Sequence, residues 1–309
     1  MTERRDLSAE RRRPGSTASR IGVNKTWKMY IGGAFVRSES GRYLVTEDGA
    51  ENYCRASRKD VRDAVKAAVG AQPGWRKRTA LNRGQILYRL AEVLESRRGE
   101  LEASLSRGAS AQADAEQPGR ADCAREVDTT IDRVVCYAGW SDKYQALVSS
   151  SNPVAGPHFG FSVSEPVGVV GILAPARPSL LGLLGAVCPV VVSGNTSVVV
   201  TSDRDPRTAI LVAECLATSD LPAGVVNLLT GTRAELAEPL VRHKGVRAVD
   251  LWNVDGEQAV RLEDFAADSV KRVSRRVYEE LDWYDARTEG PGFIEAFLEQ
   301  KTIWHPMGA

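Results

Sequence analysis

The chain has 309 residues, about two domains' worth at roughly 150 residues per domain. Apolar residues make up 43% and charged residues 26%, which excludes wholesale disorder, collagen-like repeats and disulfide scaffolds and leaves a globular chain with a sizeable core. Lys plus Arg number 41 against 40 Asp plus Glu, so a net charge of +1 gives no general pull toward nucleic acid or an anionic membrane. The five cysteines, Cys54, Cys123, Cys136, Cys188 and Cys215, are odd in number and form no C-x-x-C pair. They read as buried thiols in a reducing, cytoplasmic compartment. His158, His243 and His305 are too dispersed in sequence to suggest a metal cluster. The longest apolar stretch, 180–192, is too short to span a bilayer, and the first twenty residues lack the apolar run of a secretory signal.

In chain order, residues 1–24 form a basic arm with Arg4, Arg5, Arg11, Arg12, Arg13 and Arg20 among Ser, Gly and Pro. Such a segment cannot bury apolar area and is expected to be a disordered, solvated tail. Two β-rich runs flank Gly32-Gly33 and predict a hairpin over 29–36. Ser57 caps a helix marked by Val61, Ala64, Val65 and Ala68, and Pro73-Gly74 is expected to end it. The next helix carries Ile86, Leu87, Leu90, Val93 and Leu94 on one stripe, and another after Gly119 carries Val127, Ile131, Val134 and Val135. Residues 146–148 and 159–163, on either side of Asn152-Pro153 and Gly156-Pro157, predict a projecting hairpin.

From 167 to 251 the pattern alternates: strand 167–173, helix 180–192, strand 196–201, a helix from Pro206, strand 225–229, helix 234–241 and strand 246–251. This is the rhythm of βαβ units and a parallel sheet covered on both faces, a class that takes ligands beyond the strand carboxyl ends. The tail from 257 predicts a charged helix through Val260, Leu262, Phe265, Val270, Val273, Val277 and Leu281, ended by Gly290-Pro291-Gly292 and followed by an amphipathic piece from Phe297 to Trp304. The buried thiols Cys188 and Cys215 read as inert, and Trp304 as an interface or packing anchor. His243, at a helix end, reads as a cation favoured by the dipole.

Five segments resemble the aldehyde dehydrogenase superfamily. They are MYIGGAFV at 29–36, EPVGVVGILAPARPSLLGLLGAVCPVVVSGNTSVVV at 165–200, LPAGVVNLLTG at 221–231, VRHKGVRAVDL at 241–251 and FLEQKTIWHPMG at 297–308. The block 165–231 is the specific one. The resemblance implies a Rossmann-like open parallel sheet over 25–144 and 164–285. It also implies an oligomerisation flap made of a β-hairpin, 145–163, and a C-terminal strand within 293–307.

The departures from that family bear on function. The family's nucleophilic Cys and general-base Glu sit in a catalytic domain, but here the C-terminal strand arrives about forty residues after Leu251, without Gly-Gln-x-Cys or Glu-Leu-Gly-Gly motifs. The catalytic domain reads as absent, and no catalytic residue is assigned. Aldehyde oxidation through a thiohemiacetal needs both groups. The coenzyme positions are degenerate. Pro175 opens Pro175-Ala176-Arg177-Pro178-Ser179 where the family has Pro-Trp-Asn-Phe-Pro, so Arg177 stands in place of the oxyanion-stabilising Asn. Val200 stands in place of the ribose-binding Lys, with Ser202 and Asp203 following. Asp203, one methylene shorter than the family's Glu, is expected to serve as a turn or capping residue. Leu251-Trp252-Asn253-Val254 replaces Phe-Thr-Gly-Ser, removing the Gly and Ser beside the pyrophosphate. NAD binding is expected to be absent or weak.

The arrangement is similar to the non-catalytic C-terminal half of the double-domain (sixteenth) aldehyde dehydrogenase family. The expectation is a pseudoenzyme that partners a full-length catalytic aldehyde dehydrogenase through its β-flap, with neither nucleic acid nor membrane as partner. The alternatives are a residual NAD(P)-dependent oxidoreductase and a stand-alone nucleotide-binding module.

Overall fold

The computed structural model describes residues 24–46, 49, 51–110, 119–276 and 282–308. The arm expected over 1–24 lies outside them save for Asn24, as do Val277 and Leu281 of the expected tail helix. The chain begins with five short strands, β1 (Thr26–Trp27), β2 (Met29–Ile31), β3 (Ala34–Val36), β4 (Tyr43–Val45) and β5 (Asn52–Cys54). The β2–β3 turn puts Gly32 at φ 61° and Gly33 at φ 82°, the left-handed region that a tight hairpin turn needs. A Cβ on Gly33 would lie 2.5 Å from that of Ala223, so both backbone and packing demand glycine there.

Helices follow: α1 (Arg58–Lys77), α2 (Ala80–Ser96), α3 (Arg98–Ser110), α4 (Arg120–Trp140) and the short α5 (Tyr144–Val148). Ser57 caps α1 as expected, in a capping box with Asp60, whose carboxylate also takes the Ser38 hydroxyl at 2.7 Å. Pro73 does not end this helix. Its missing N–H would have paired with the carbonyl of Val69 on an exposed turn, where solvent can substitute. The helix continues because Trp75 is buried at 1% exposure and donates its indole N–H to the Val191 carbonyl at 2.8 Å. α3 stands where no element is expected, and its core contacts rest on little more than Leu101 and Leu105.

Next come β6 (Ser150–Asn152), β7 (His158–Pro166), β8 (Val169–Leu173), α6 (Ser179–Val192), β9 (Thr196–Val200), α7 (Pro206–Thr218), β10 (Val226–Leu229), α8 (Arg233–Arg242), β11 (Ala248–Trp252), α9 (Gly256–Ala267), β12 (Arg272–Arg276), α10 (Pro291–Glu295) and β13 (Leu298–Pro306). The alternation from 167 to 251 stands, each element shifted by no more than a few residues. Residues 146–148, expected as a strand, belong to α5 instead. The expected tail helix stops at Ala267, because Arg272–Arg276 pair in parallel with β11 and become a sheet edge. Pro291 opens a helix rather than closing one, as its fixed φ suits a first turn.

The main sheet has the order β12-β11-β8-β9-β10-β2-β3, parallel from β12 to β10 and closed on one side by the antiparallel β2–β3 hairpin. Along β8, Val170 and Ile172 face a core built with α2, α4, α6 and α7, while Val169 and Leu173 face one built with α1, α8 and α9. Two smaller sheets complete the molecule, β1-β5-β4 and β13-β7-β6. In the second, β13 and β7 pair antiparallel over nine residues.

Candidate functional site

Successive parallel strands run outward from β8 to β9 and β10, and then the chain returns to lay β11 and β12 on the other side of β8. The order therefore reverses between β8 and β11. In an open α/β sheet, ligands bind in the crevice outside the strand carboxyl ends at such a switch point.

Arg233, the first residue of α8, reaches across that point. Its guanidinium donates to the carbonyl of Ala174, just beyond β8, at 3.4 Å, and to the carbonyl of Trp252, the last residue of β11. Its Nε is buried without a partner. Burial pushes the guanidinium down to about 10, with the carboxylate of Asp203 pulling the other way. Next to it, Arg276 at the end of β12 pairs with the buried Asp250 at 3.1 Å, lies over the ring of Trp252 and stacks on Phe293. The Trp252 indole donates to the same carboxylate at 2.7 Å. Burial raises Asp250, and the Arg276 charge opposes that rise.

Helix N-termini at this end of the sheet are the natural anion sites. That of α6 is taken by Glu126 of α4, whose carboxylate accepts the N–H groups of Leu180 at 2.8 Å and Leu181 at 3.2 Å. Desolvation raises the Glu126 carboxyl against the pull of those donors. Asp205 caps α7 through Thr208 N–H at 3.1 Å and accepts the Ser179 hydroxyl at 2.8 Å. Asp255 caps α9 through Gln258 N–H at 2.7 Å.

The residues singled out in the sequence lie around this crevice, but not in one cluster. Pro175 is buried against Gly182. Arg177 is half-buried in the loop before α6. Val200 is a core residue, 1% exposed, packed on the α1–α8 side. The Ser202 hydroxyl donates to the Ala176 carbonyl at 3.4 Å and accepts Arg204 N–H at 3.2 Å. Asp203 is exposed, and the capping role expected for it belongs to Asp205. A cavity of about 370 Å³ opens beside it between α3, the β9–α7 loop and the small sheet, with Arg107, Arg204 and Asp203 on its wall. Arg233 and Glu126 were not marked by the sequence. An arginine at a helix start and a glutamate within a helix look like surface residues until the strands and α4 place them.

The buried thiols are not poised for attack. Burial pushes Cys188 up to about 12 and Cys215 up to about 11, and raises Cys123 and Cys136. His243 caps the C-terminus of α8, but its Nδ1 accepts the Gly245 N–H at 3.0 Å, and burial with Lys271 nearby lowers its pKa. The expected dipole-stabilised cation is therefore corrected to a neutral acceptor. Among the described residues no group of three His, Cys, Asp or Glu side chains could hold a metal ion, and no helix is long and apolar enough to cross a membrane.

The model of the aldehyde dehydrogenase family matches residues 43–269. The chain belongs to the aldehyde dehydrogenase family. A putative aldehyde dehydrogenase, DhaS, of Bacillus subtilis is 31% identical over 256 residues, covering 81% of this chain and 50% of that protein. Mouse cytosolic 10-formyltetrahydrofolate dehydrogenase is 29% identical over 265 residues, covering 82% of this chain and 28% of that protein. Among solved structures, HpcC from Thermus thermophilus superposes with a TM-score of 0.74 at 28% identity, over 82% of this chain and 48% of that one. A Bacillus cereus aldehyde dehydrogenase solved with NAD+ gives 0.73 at 25% identity, over 82% and 51%. This aldehyde dehydrogenase family chain thus spans about half the length of such relatives, or less. The family implies a nicotinamide dinucleotide, but the residues at this switch point do not fit one. Arg233 bridges the carbonyls just beyond β8 and at the end of β11, and Glu126 satisfies the α6 N-terminus.

Proposed function

We propose that this chain is a non-catalytic member of its family. It serves as a structural or regulatory subunit beside a full-length, catalytically active aldehyde dehydrogenase in the cytoplasm. The observation that carries this reading is the sheet β13-β7-β6. Its outer strand β13 is an edge with all but two of its residues exposed, and Trp304, Phe159 and Met307 stand 63%, 47% and 52% exposed near the hairpin tip. A long edge with aromatic anchors captures a partner strand through backbone hydrogen bonds. The closed homodimer usual in the family needs a receiving edge in a catalytic domain, and the partner's would supply it.

The test is co-expression with the full-length aldehyde dehydrogenase of the same organism, followed by size-exclusion chromatography of the intact chain and of a variant lacking 299–309. Co-elution of the intact chain and its loss in the variant supports the proposal. Equal elution of both chains with the enzyme, or a monomeric intact chain, overturns it. The relatives' names favour a second reading, a residual NAD(P)-dependent dehydrogenase. Aldehyde-dependent reduction of NAD+ or NADP+ by the purified chain alone would establish that reading and defeat the first.

A further inference from the structure

We propose that Arg233 is an internal plug that keeps dinucleotide out of the switch-point crevice by occupying it, so that this chain holds its nucleotide fold together without a nucleotide. The proposal concerns the crevice alone and is independent of the partner proposed above.

Three observations carry it. The guanidinium bridges the carbonyl groups at the ends of β8 and β11, the two strands between which the sheet order reverses. The planar guanidinium fork, with its five N–H donors, can satisfy two separated carbonyls at once. One of its nitrogens, Nε, is buried with no acceptor, so the group is held where it is at the expense of a hydrogen bond. At the start of α6, the helix after β8, the carboxylate of Glu126 takes the two N–H groups that an incoming phosphate would otherwise use. A cation across the strand ends and an anion on the helix start are both supplied from within the chain.

Backbone geometry allows the plug to be removed. Arg233 is the first residue of α8, ahead of the Leu236, Ala237, Leu240 and Val241 face that packs the helix on the sheet. Arg233→Gly clears the crevice, and Arg233→Ala does so while keeping helix propensity. The measurement is isothermal titration with NAD+ and with NADP+ on the full chain, with Trp252 fluorescence as a second readout beside the crevice. The wild type is expected to bind neither dinucleotide with a Kd below about 1 mM, and each variant to bind at least one of them about tenfold more tightly or better. Tight binding by the wild type overturns the plug whatever the variants do. Variants that fold, by circular dichroism, but bind no better than the wild type overturn it as well. Failure here leaves the co-elution with an active enzyme unaffected, so the two proposals fail separately.

Discussion

Arg133 shows how single charged residues hold this molecule. It is 2% exposed, yet it pairs with Glu289 at 3.1 Å and donates to the carbonyls of Trp283 and Thr288 and to the Thr288 hydroxyl. One side chain of α4 thereby fastens the segment after residue 281 onto the core. Removing it leaves several buried acceptors unpaired, and Arg133→Met is expected to cost about 3 kcal/mol, read as a lower urea midpoint at unchanged slope. His243 gives a pH prediction. Its folded pKa lies below the ordinary value of about 6.5, so below that pH the unfolded chain binds more protons than the folded one. The stability linked to neutral His243 is full above about pH 6.5 and is lost as pH falls through the lowered folded value. Replacing His243 with Gln should flatten the thermal midpoint across that window and leave it little changed at pH 8.

At the scale of elements, α1 is set by its start and held by its end. The Ser57–Asp60 box fixes the entry, and Asp60 also draws in Ser38 and the Glu39 N–H at 3.4 Å, tying the loop before β4 to the helix. Asp60→Ala removes a cap and leaves a buried hydroxyl, so a loss of about 2 kcal/mol is expected by chemical denaturation. Trp75→Ala, beyond the proline, should cost about 3–5 kcal/mol through lost volume and the lost indole hydrogen bond to the Val191 carbonyl. The Ser57 cap was legible from the sequence, because capping acts within four residues; its partner Asp60 came only with the structure. Continuation past Pro73 was not legible, since it depends on a groove 116 residues further along. The same divide explains β12. Arg272–Arg276 carry no strand pattern of their own, and only the open edge of β11 makes them one.

At the scale of the molecule, two cores share one sheet, one under α2, α4, α6 and α7 and the other under α1, α8 and α9. Strands that contribute alternate residues to both cores couple them, so one cooperative transition is expected, with near- and far-ultraviolet circular dichroism coinciding on denaturation. The β13-β7-β6 sheet is tied to this body near its base: the Asn195 side chain donates to the Phe297 carbonyl at 2.8 Å, Arg272 donates to the Leu298 carbonyl, Arg76 pairs with Glu165 at 2.8 Å, and Leu298 is buried, while most of β13 beyond it is exposed. Loss of 299–309 should therefore leave the main transition within a few degrees of the intact chain.

Sequence alone determined the succession of strand and helix from 169 to 252, the hairpin at Gly32-Gly33, the membership of the family and the departures at Pro175, Arg177 and Val200. Each of these is written in local spacing or in residue identity at a motif position. Tertiary structure alone decided what fills the crevice. Arg233 follows β10, yet it answers to the ends of β8 and β11, and Glu126 of α4 answers to Leu180 of α6, 54 residues later. A side chain's partner across a sheet depends on the order in which strands are laid down. That order is a property of the packed whole, because burial of both sheet faces, and no local preference, fixes where β11 returns.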